Sequence, residues 1–556
     1  MVSADAEIKA ALHTALQHAQ QAGELPAGEL LAEIPLERPK DETLGDLATP
    51  ISMQLARILR LAPIQIAETL VRHMPVLESI AELQAVRPGY INMRYRAEWL
   101  TNQIEAILSA PEHFGEVSLG EGRSVQVEFV SANPTGPLHI GAARNAVLGD
   151  TVARVLEAAG YRVEREYYVN DAGSRVRMFG ETLYARYAQA LGVDAEMPAD
   201  GYMGAYMVEM GSAIVAEAGR QYLEMERSQA VADLGREGLR RVVADIESDL
   251  ALMGIHYNRW FSEASLYHDG TYDTAIAILE RGGYLEQHDG ALWFKASAFG
   301  VNKDEVVVRS DGTPGYFASD IAYHYDKFVL RGFDRVIDVW GADHQGHVPR
   351  MHAMLQGLGI DPQRLTILLY QLVTLKRSGE IVRLSKRTGD IITLREVLSE
   401  VGSDAVRFFL LARDANSQMD FDLDLAKEQS DANPVFYVQY AHARTCSILR
   451  HATDIDYSAG DLALLTEPAE QTLMRRMIRL PDVVRLAAQN LEPHHLTYYA
   501  QELASALHAF YRDCRVVNLE PGTEAITAAR LKLVAACRIA LARTLVLMGM
   551  SAPEVM

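Results

Sequence analysis

Apolar and polar positions divide the chain into three stretches of different rhythm. In the middle stretch, short apolar runs alternate with segments of helical period. Residues 125–130 (VQVEFV) read as a strand, 131–141 as a Pro/Gly turn, 142–159 as a helix and 162–168 as a second strand. That order is a βαβ unit, and a βαβ unit predicts a parallel sheet. Residues 191–259 are charged and of helical period, which reads as an insertion into the sheet. From Gly290 strand signals return in ALWFKA, EVVVRS, YFASDIAYH and RVIDVWGADH. Two strand-rich halves around a helical insertion predict one interrupted Rossmann-type sheet. Ahead of it, residues 8–23 form an amphipathic helix pattern. A turn-rich stretch (35–45), a helix (51–61) and a turn with a strand (86–95) follow. From Pro434 the pattern is helical to the end, with Leu531, Val534, Ala535, Ile539, Leu541 and Leu545 at core spacings in one helix over 528–548.

The expected fold class is therefore α/β. An N-terminal α/β module (1–112) precedes a Rossmann-type parallel sheet domain (113–395) split by a helical insertion at about 191–289. A connector (396–433) then leads to an all-α bundle (434–556). Composition adds little to this picture, being ordinary for a globular chain at 49% hydrophobic and 23% charged. The three cysteines are far apart and fit no CxxC spacing, so neither structural zinc nor a disulfide framework is expected. No run approaches the ~18 apolar residues of a membrane span, and the start has no basic, then apolar, leader pattern. A soluble, cytoplasmic protein without a membrane partner is the expectation.

A formal charge of −21 argues against a nucleic-acid binder only superficially. From Pro434 onward there are 12 Lys+Arg and 12 Asp+Glu, so the acid excess lies upstream. A neutral bundle can still gather its arginines on one face. Composition neither demands nor excludes RNA.

Candidate chemistry sits in SANPTGPLHIGAARNAVLGD, residues 131–150, directly after the first strand. A strand, a tight turn and a helix start present backbone N–H groups and a positive dipole end to a phosphate. His139 can donate to phosphate oxygens whose charge grows as pyrophosphate leaves, and Gly141 permits close approach of a nucleotide. The bland alternative is a histidine that caps the helix. A second element, RLSKRT at 383–388, places Lys386 on a Ser/Gly loop suited to a triphosphate. Alone it reads as a basic surface loop; paired with the His139 turn, it completes a split phosphate site.

These motifs resemble class I aminoacyl-tRNA synthetases, and specifically the arginyl-tRNA synthetases. SANPTGPLHIGAAR is similar to that family's HIGH region and RLSKRTG to its KMSKS loop. YYVNDAGSRV (167–176), SDGTPGYFASDIAYH (310–324), VWGADHQGH (339–347), VGSDAVRFFLL (401–411) and FDLDLAKEQSDANPVFYVQYAHAR (421–444) resemble further blocks of it. GDLATPISMQLA (45–56) is similar to its N-terminal tRNA-binding module, and MGMSAPEVM to its C-terminus.

The resemblance implies a two-step ligase joining L-arginine to tRNA-Arg. ATP would be the cofactor, with Mg²⁺ arriving as part of its complex and no resident metal, and a monomer is expected. His139 and Lys386 would be catalytic, and Gly141, Asn145, Gly341, Asp343 and Ser385 would complete the ATP site. Positioning and charge stabilisation would carry the reaction without a covalent enzyme intermediate. A guanidinium asks for a carboxylate, for which Asp320 is the first candidate, with Tyr316 one turn earlier and Glu128 as a second carboxylate. Asn133, Ser131 and His344 would hold the α-amino and carboxylate ends. In the helical C-terminal part, implied to bind the anticodon, Tyr440, His442 and Arg444 are candidates for stacking on unpaired bases.

Two departures stand out. Where the family signature ends in a second histidine, this chain has Ala142. Losing one charge-assisted hydrogen bond is worth roughly 1.5–3 kcal/mol, about one to two orders of magnitude in rate. Asn145, on the same helix face, is the expected replacement donor. In the loop, Arg383 and Leu384 stand for the family's lysine and methionine, while Lys386 is kept. Two rival readings are a tRNA-binding paralogue without an ATP site, which only Ala142 favours, and a small-molecule nucleotidyltransferase, to which the terminal modules would be useless.

Overall fold

The computed structural model describes residues 4–27, 34–39, 41–382 and 392–556. The N-terminal unit opens with α1 (Ala4–Gln21), whose Ile8, Leu12, Ala15 and Leu16 are buried on one face. β1 (Leu47–Thr49), α2 (Ile51–Leu59), α3 (Pro63–His73), β2 (Ile80–Val86) and β3 (Tyr90–Tyr95) follow, with a three-stranded sheet ordered β1-β3-β2. α4 (Ala97–Ser109) then leads to the central sheet.

That sheet begins with β4 (Ser124–Glu128), α5 (Ile140–Ala158) and β5 (Arg162–Val169). Four helices cross over from β5: α6 (Ser174–Ala190), α7 (Ala205–Ala218), α8 (Gln221–Glu224) and α9 (Arg227–Leu252). They return the chain to β6 (Arg259–Ser262) beside β5. Next come α10 (Ser265–His268), α11 (Thr271–Arg281), β7 (Leu285–His288), β8 (Ala291–Phe294), β9 (Glu305–Val308) and α12 (Tyr316–Tyr325). β10 (Arg335–Gly341), α13 (Val348–Gly357) and β11 (Leu365–Tyr370) complete the set. The five central strands are all parallel, in the order β11-β10-β4-β5-β6. Interior residues of β4 and β10 are buried, as expected of a parallel sheet covered on both faces. The order reverses between β4 and β10, so the crevice beyond their carboxyl ends is the place where a ligand binds in such a sheet.

Beyond the sheet, β12 (Val373–Arg377), β13 (Glu380–Ile381) and β14 (Met419–Asp422) form a separate sheet. α14 (Leu394–Val401), α15 (Ser403–Leu411) and α16 (Leu423–Lys427) pack together, with α16 against β12. The bundle follows as α17 (Pro434–His451), α18 (Pro468–Met477), α19 (Leu480–Asn490), α20 (His494–Asp513) and α21 (Glu524–Leu547). The fully buried Arg407 joins the parts: it donates to the Met548 and Met253 carbonyls and pairs with Asp150 of α5.

The parallel sheet, the crossover helices and the helical C-terminal part follow the sequence pattern, but four readings need correction. The first strand ends at Glu128, because Val130 and Ser131 take left-handed φ values of 67° and 39°. ALWFKA and EVVVRS belong to an antiparallel β7-β8-β9 sheet, not to the Rossmann sheet. YFASDIAYH is the helix α12. The stretch about 191–289 contains β6, a strand of the main sheet, and the sheet of β12, β13 and β14 straddles the expected boundary at 395. Apolar runs of four residues carry no record of which sheet they join.

Candidate active site

The crevice at the switch point is built on a pinned, strained turn. Left-handed φ in a β-branched residue such as Val130 persists only where the surroundings hold it. Here four hydrogen bonds do so. Asn145 Oδ1 accepts from Val130 N–H at 2.7 Å, and Ser131 Oγ accepts from Tyr168 N–H at 3.1 Å. Tyr257 donates to the Phe129 carbonyl at 3.0 Å and Tyr167 to that of Ala132 at 2.9 Å. Gly149 lets α5 approach this strand end closely, since a Cβ there would lie 2.2 Å from Phe129 Cγ. The turn delivers Asn133, exposed, to the wall of a cavity of about 1320 Å³ that Glu263, Tyr267, Tyr316 and Ser319 also line.

Beside this cavity is a concentration of carboxylates. Asp320 is one turn beyond Tyr316 on α12 and forms no ion pair with any described residue. Burial, and then the charges of Glu128, Glu263 and Asp338 against the pull of His324, push its carboxyl up to about 7. Glu263, 8% exposed after β6, accepts from Ser319 Oγ at 2.5 Å, and Ser319 also meets the Tyr267 hydroxyl at 2.7 Å. Burial raises the Glu263 carboxyl too. Deeper, the fully buried Lys327 donates to Glu128 Oε2 at 2.6 Å and Asp338 Oδ1 at 2.8 Å. His324 links Asp338 (3.0 Å) to the Asp320 carbonyl (2.9 Å). Burial works against the Asp338 carboxylate, but Lys327 and His324 outweigh it and hold its carboxyl at about 2. At Glu128 burial prevails and the carboxyl is raised. Lys327 thus answers the deep carboxylates, while Asp320 and Glu263 lack a cation. Carboxylates without a paired cation could receive one.

The other half of the crevice is the start of α5. His139 is the N-cap, and its Nδ1 accepts from Gly141 N–H at 3.0 Å. A Cβ on Gly141 would meet His139 Cε1 at 2.6 Å and Nδ1 at 2.7 Å. The glycine is therefore required by the folded-back imidazole itself, whatever binds later. Gly341 ends β10, where a Cβ would lie 2.4 Å from Asp343 Oδ1; Asp343 and His344 are exposed on the turn that follows. Leu394 N–H donates to the Leu138 carbonyl at 2.7 Å, and a β-bridge joins His139 to Thr393. The chain leaving the 383–391 segment is thus fastened to the His139 turn. Ser385 and Lys386 themselves lie outside the described residues.

Comparison with known proteins agrees with this arrangement. The family description "tRNA synthetases class I (R), catalytic domain" matches residues 103–472, "Arginyl tRNA synthetase N terminal domain" residues 6–95 and "DALR anticodon binding domain" residues 438–556. An arginine–tRNA ligase of Dehalococcoides mccartyi is 53% identical over 547 residues, 98% of each chain. The chain belongs to the arginyl-tRNA synthetase family. A Moorella thermoacetica arginine–tRNA ligase is 48% identical over 553 residues, 98% of each chain. The arginyl-tRNA synthetase structure from Thermus thermophilus superposes with a TM-score of 0.76 at 25% identity, covering 98% of this chain and 99% of that one.

Within that family frame, the structure corrects several expected roles. Asn145 is not a spare donor for phosphate. It is 5% exposed, its Oδ1 holds Val130 and its Nδ2 donates to the Val339 carbonyl at 2.8 Å, stitching β4 to β10 across the switch point. His442 does not face RNA: it is 4% exposed and its Nδ1 meets the Pro553 carbonyl at 2.9 Å, tying down the C-terminal tail. Ser131 uses its hydroxyl as a strut to β5, and one oxygen of Glu128 is occupied by Lys327. Tyr440 and Arg444 do line a cavity, of about 770 Å³. Arg444 donates to the Tyr440 hydroxyl at 2.8 Å and lies 4.0 Å from the Tyr511 ring centre. Sequence reasoning missed Glu263, Lys327, His324 and Asp338. Only Asp338, an acid inside an apolar strand run (RVIDVWG), left a visible signal.

Proposed function

We infer that this chain is an arginine–tRNA ligase. ATP activates the arginine carboxylate, which attacks the α-phosphorus to form arginyl-adenylate and release pyrophosphate. A ribose hydroxyl at the tRNA 3′ end then attacks the aminoacyl carbonyl and AMP leaves. The observation that carries the reading is that Asp320 and Glu263 carry no paired cation among the described residues, in a fold whose switch-point crevice also holds the N-terminus of α5. A guanidinium supplies the missing charge through a two-oxygen fork, and α5 offers its N–H groups to phosphate. Tyr316, 63% exposed and lining the cavity, would cover the arginine side chain. Asn133 would hold the substrate's polar end and His139 the leaving pyrophosphate; Lys386 and Ser385 are assigned to the same phosphates on their motif alone. Gly341 and Asp343 border the adenosine. Mg²⁺ enters as part of the ATP complex, and Tyr440 and Arg444 contact the anticodon arm. The family's N-terminal module meets the rest of the tRNA. As an enzyme of translation it would work as a cytoplasmic monomer. Among the described residues no helix is long and apolar enough to cross a membrane.

Arginine-dependent ATP–pyrophosphate exchange, run with and without tRNA, tests this. Citrulline, which keeps the shape and loses the charge, should be rejected by at least about 10³-fold, because the site's carboxylates would be left unpaired. Exchange with citrulline comparable to that with arginine, or no exchange under any condition, refutes the assignment.

A further inference from the structure

The turn between α19 and α20 carries a second constellation, unconnected with adenylate chemistry. In Glu492-Pro493-His494-His495, one carboxylate oxygen and one nitrogen from each imidazole all lie within 4.8 Å of one another. The proline separates the acid from the histidines and begins the helix, so donors adjacent in sequence converge on one point. Glu492 Oε2 is 3.0 Å from His495 Nε2. The two imidazole centres are 4.3 Å apart at 32°, and Tyr498 walls both rings, 5.4 Å from His494 and 6.3 Å from His495. His494 is the informative member. It is 92% buried (8% exposed), yet neither ring nitrogen has a hydrogen-bond partner among the described residues. Its ring nitrogens are not among the described buried atoms that lack a partner, so the ring keeps an edge open to solvent, from which a cation can reach the cluster.

We propose that Glu492, His494 and His495 form a binding site for a transition-metal dication of the Zn²⁺ class. Two imidazoles and a carboxylate are the borderline donor set that suits Zn²⁺, and three protein ligands leave the fourth position to water. Donor separations up to 4.8 Å exceed those around a bound zinc, so the three side chains draw inward on binding. Ca²⁺ and Mg²⁺, which prefer all-oxygen shells, do not compete. The site has a structural consequence. Asp414 acts electrostatically on His494, and the Asp414 carbonyl accepts from the buried Arg144 of α5 at 2.9 Å. A cation at the α19–α20 turn therefore adds charge where the bundle meets the helix that begins at His139, and occupancy stiffens that junction.

The test uses the untagged full-length chain, stripped with chelator. Co²⁺ is titrated by visible absorption and then displaced by Zn²⁺, and melting curves are recorded with and without Zn²⁺. One equivalent of Co²⁺ should bind with the spectrum of a four-coordinate N/O site, and Zn²⁺ should raise Tm. His494→Gln, His495→Ala and Glu492→Gln should each weaken binding by at least about tenfold, the loss typical even of an outer partner of a metal ligand. The exposed control His288→Ala should leave it unchanged. Metal-free melting curves of the variants show whether each still folds, and His494→Gln keeps the ring's bulk in part. Absence of saturable binding, or binding of equal strength in the His494→Gln/His495→Ala double variant, overturns the proposal.

Discussion

Asn145→Ala separates a structural from a catalytic role most directly. The substitution removes an acceptor 2.7 Å from Val130 N–H and a donor 2.8 Å from the Val339 carbonyl. Each orphaned buried group costs about 1–3 kcal/mol. Val130 is half-buried and water can reach its N–H, whereas Val339 is 3% exposed, so we place the sum at about 2–4 kcal/mol. The effect on catalysis should be of similar size, since a hundredfold in rate is about 2.7 kcal/mol. Val130 and Ser131 hold left-handed φ values against their preference, and such strain amounts to about 1–3 kcal/mol per residue. With one of the four restraints gone, the turn can relax and carry Asn133 away from the cavity; a displacement of ~1 Å costs about 10² in rate. Urea denaturation and arginine-dependent pyrophosphate exchange measure the two effects. The expected result is a lower denaturation midpoint, a raised arginine KM and no rescue by Ala142→His. An Asn145→Ala enzyme of unchanged stability, slowed only in its use of ATP and restored by Ala142→His, would falsify the structural role and return Asn145 to the phosphates.

Three further outcomes follow from the same geometry. Free Asp320 titrates at about 7, and a bound guanidinium favours its ionised form. Arginine binding should therefore be full above pH 7 and its KM should rise as pH falls through 7, by up to about tenfold per unit; an arginine KM flat from pH 5.5 to 8 contradicts this. Lys327→Met leaves Glu128 and Asp338 buried without their cation and should destabilise by about 3–5 kcal/mol, so an unshifted melting temperature would count against the network. Gly141→Ala drives a Cβ into the His139 ring. It should lower kcat for adenylate formation by about one to two orders of magnitude, if one charge-assisted contact to phosphate is lost, with arginine affinity in equilibrium dialysis unchanged; a normal kcat would show that the ring need not fold back.

Sequence alone determined much of this protein. The 2.0 and 3.6 periodicities fixed the βαβ unit around residues 124–168 and the helical C-terminal part, because side-chain burial repeats locally with the backbone. The local placement of His139 with Gly141, and of Tyr316 one turn before Asp320, was legible because spacing within one turn or helix is set by local geometry; their roles remain proposals. Other decisions belonged to tertiary structure. Which sheet ALWFKA and EVVVRS join depends on partners far along the chain. Whether Asn145, a polar residue on a helix face, meets a ligand or a neighbouring strand depends on what packs there, and Val339, 194 residues away, does. The acidic receptor draws Glu128, Glu263, Asp320, Lys327 and Asp338 from different strands and helices. Its charge imbalance exists only once burial removes water and lets carboxylates act on one another at low dielectric. A sequence can announce a carboxylate, but only the fold can leave it without a cation.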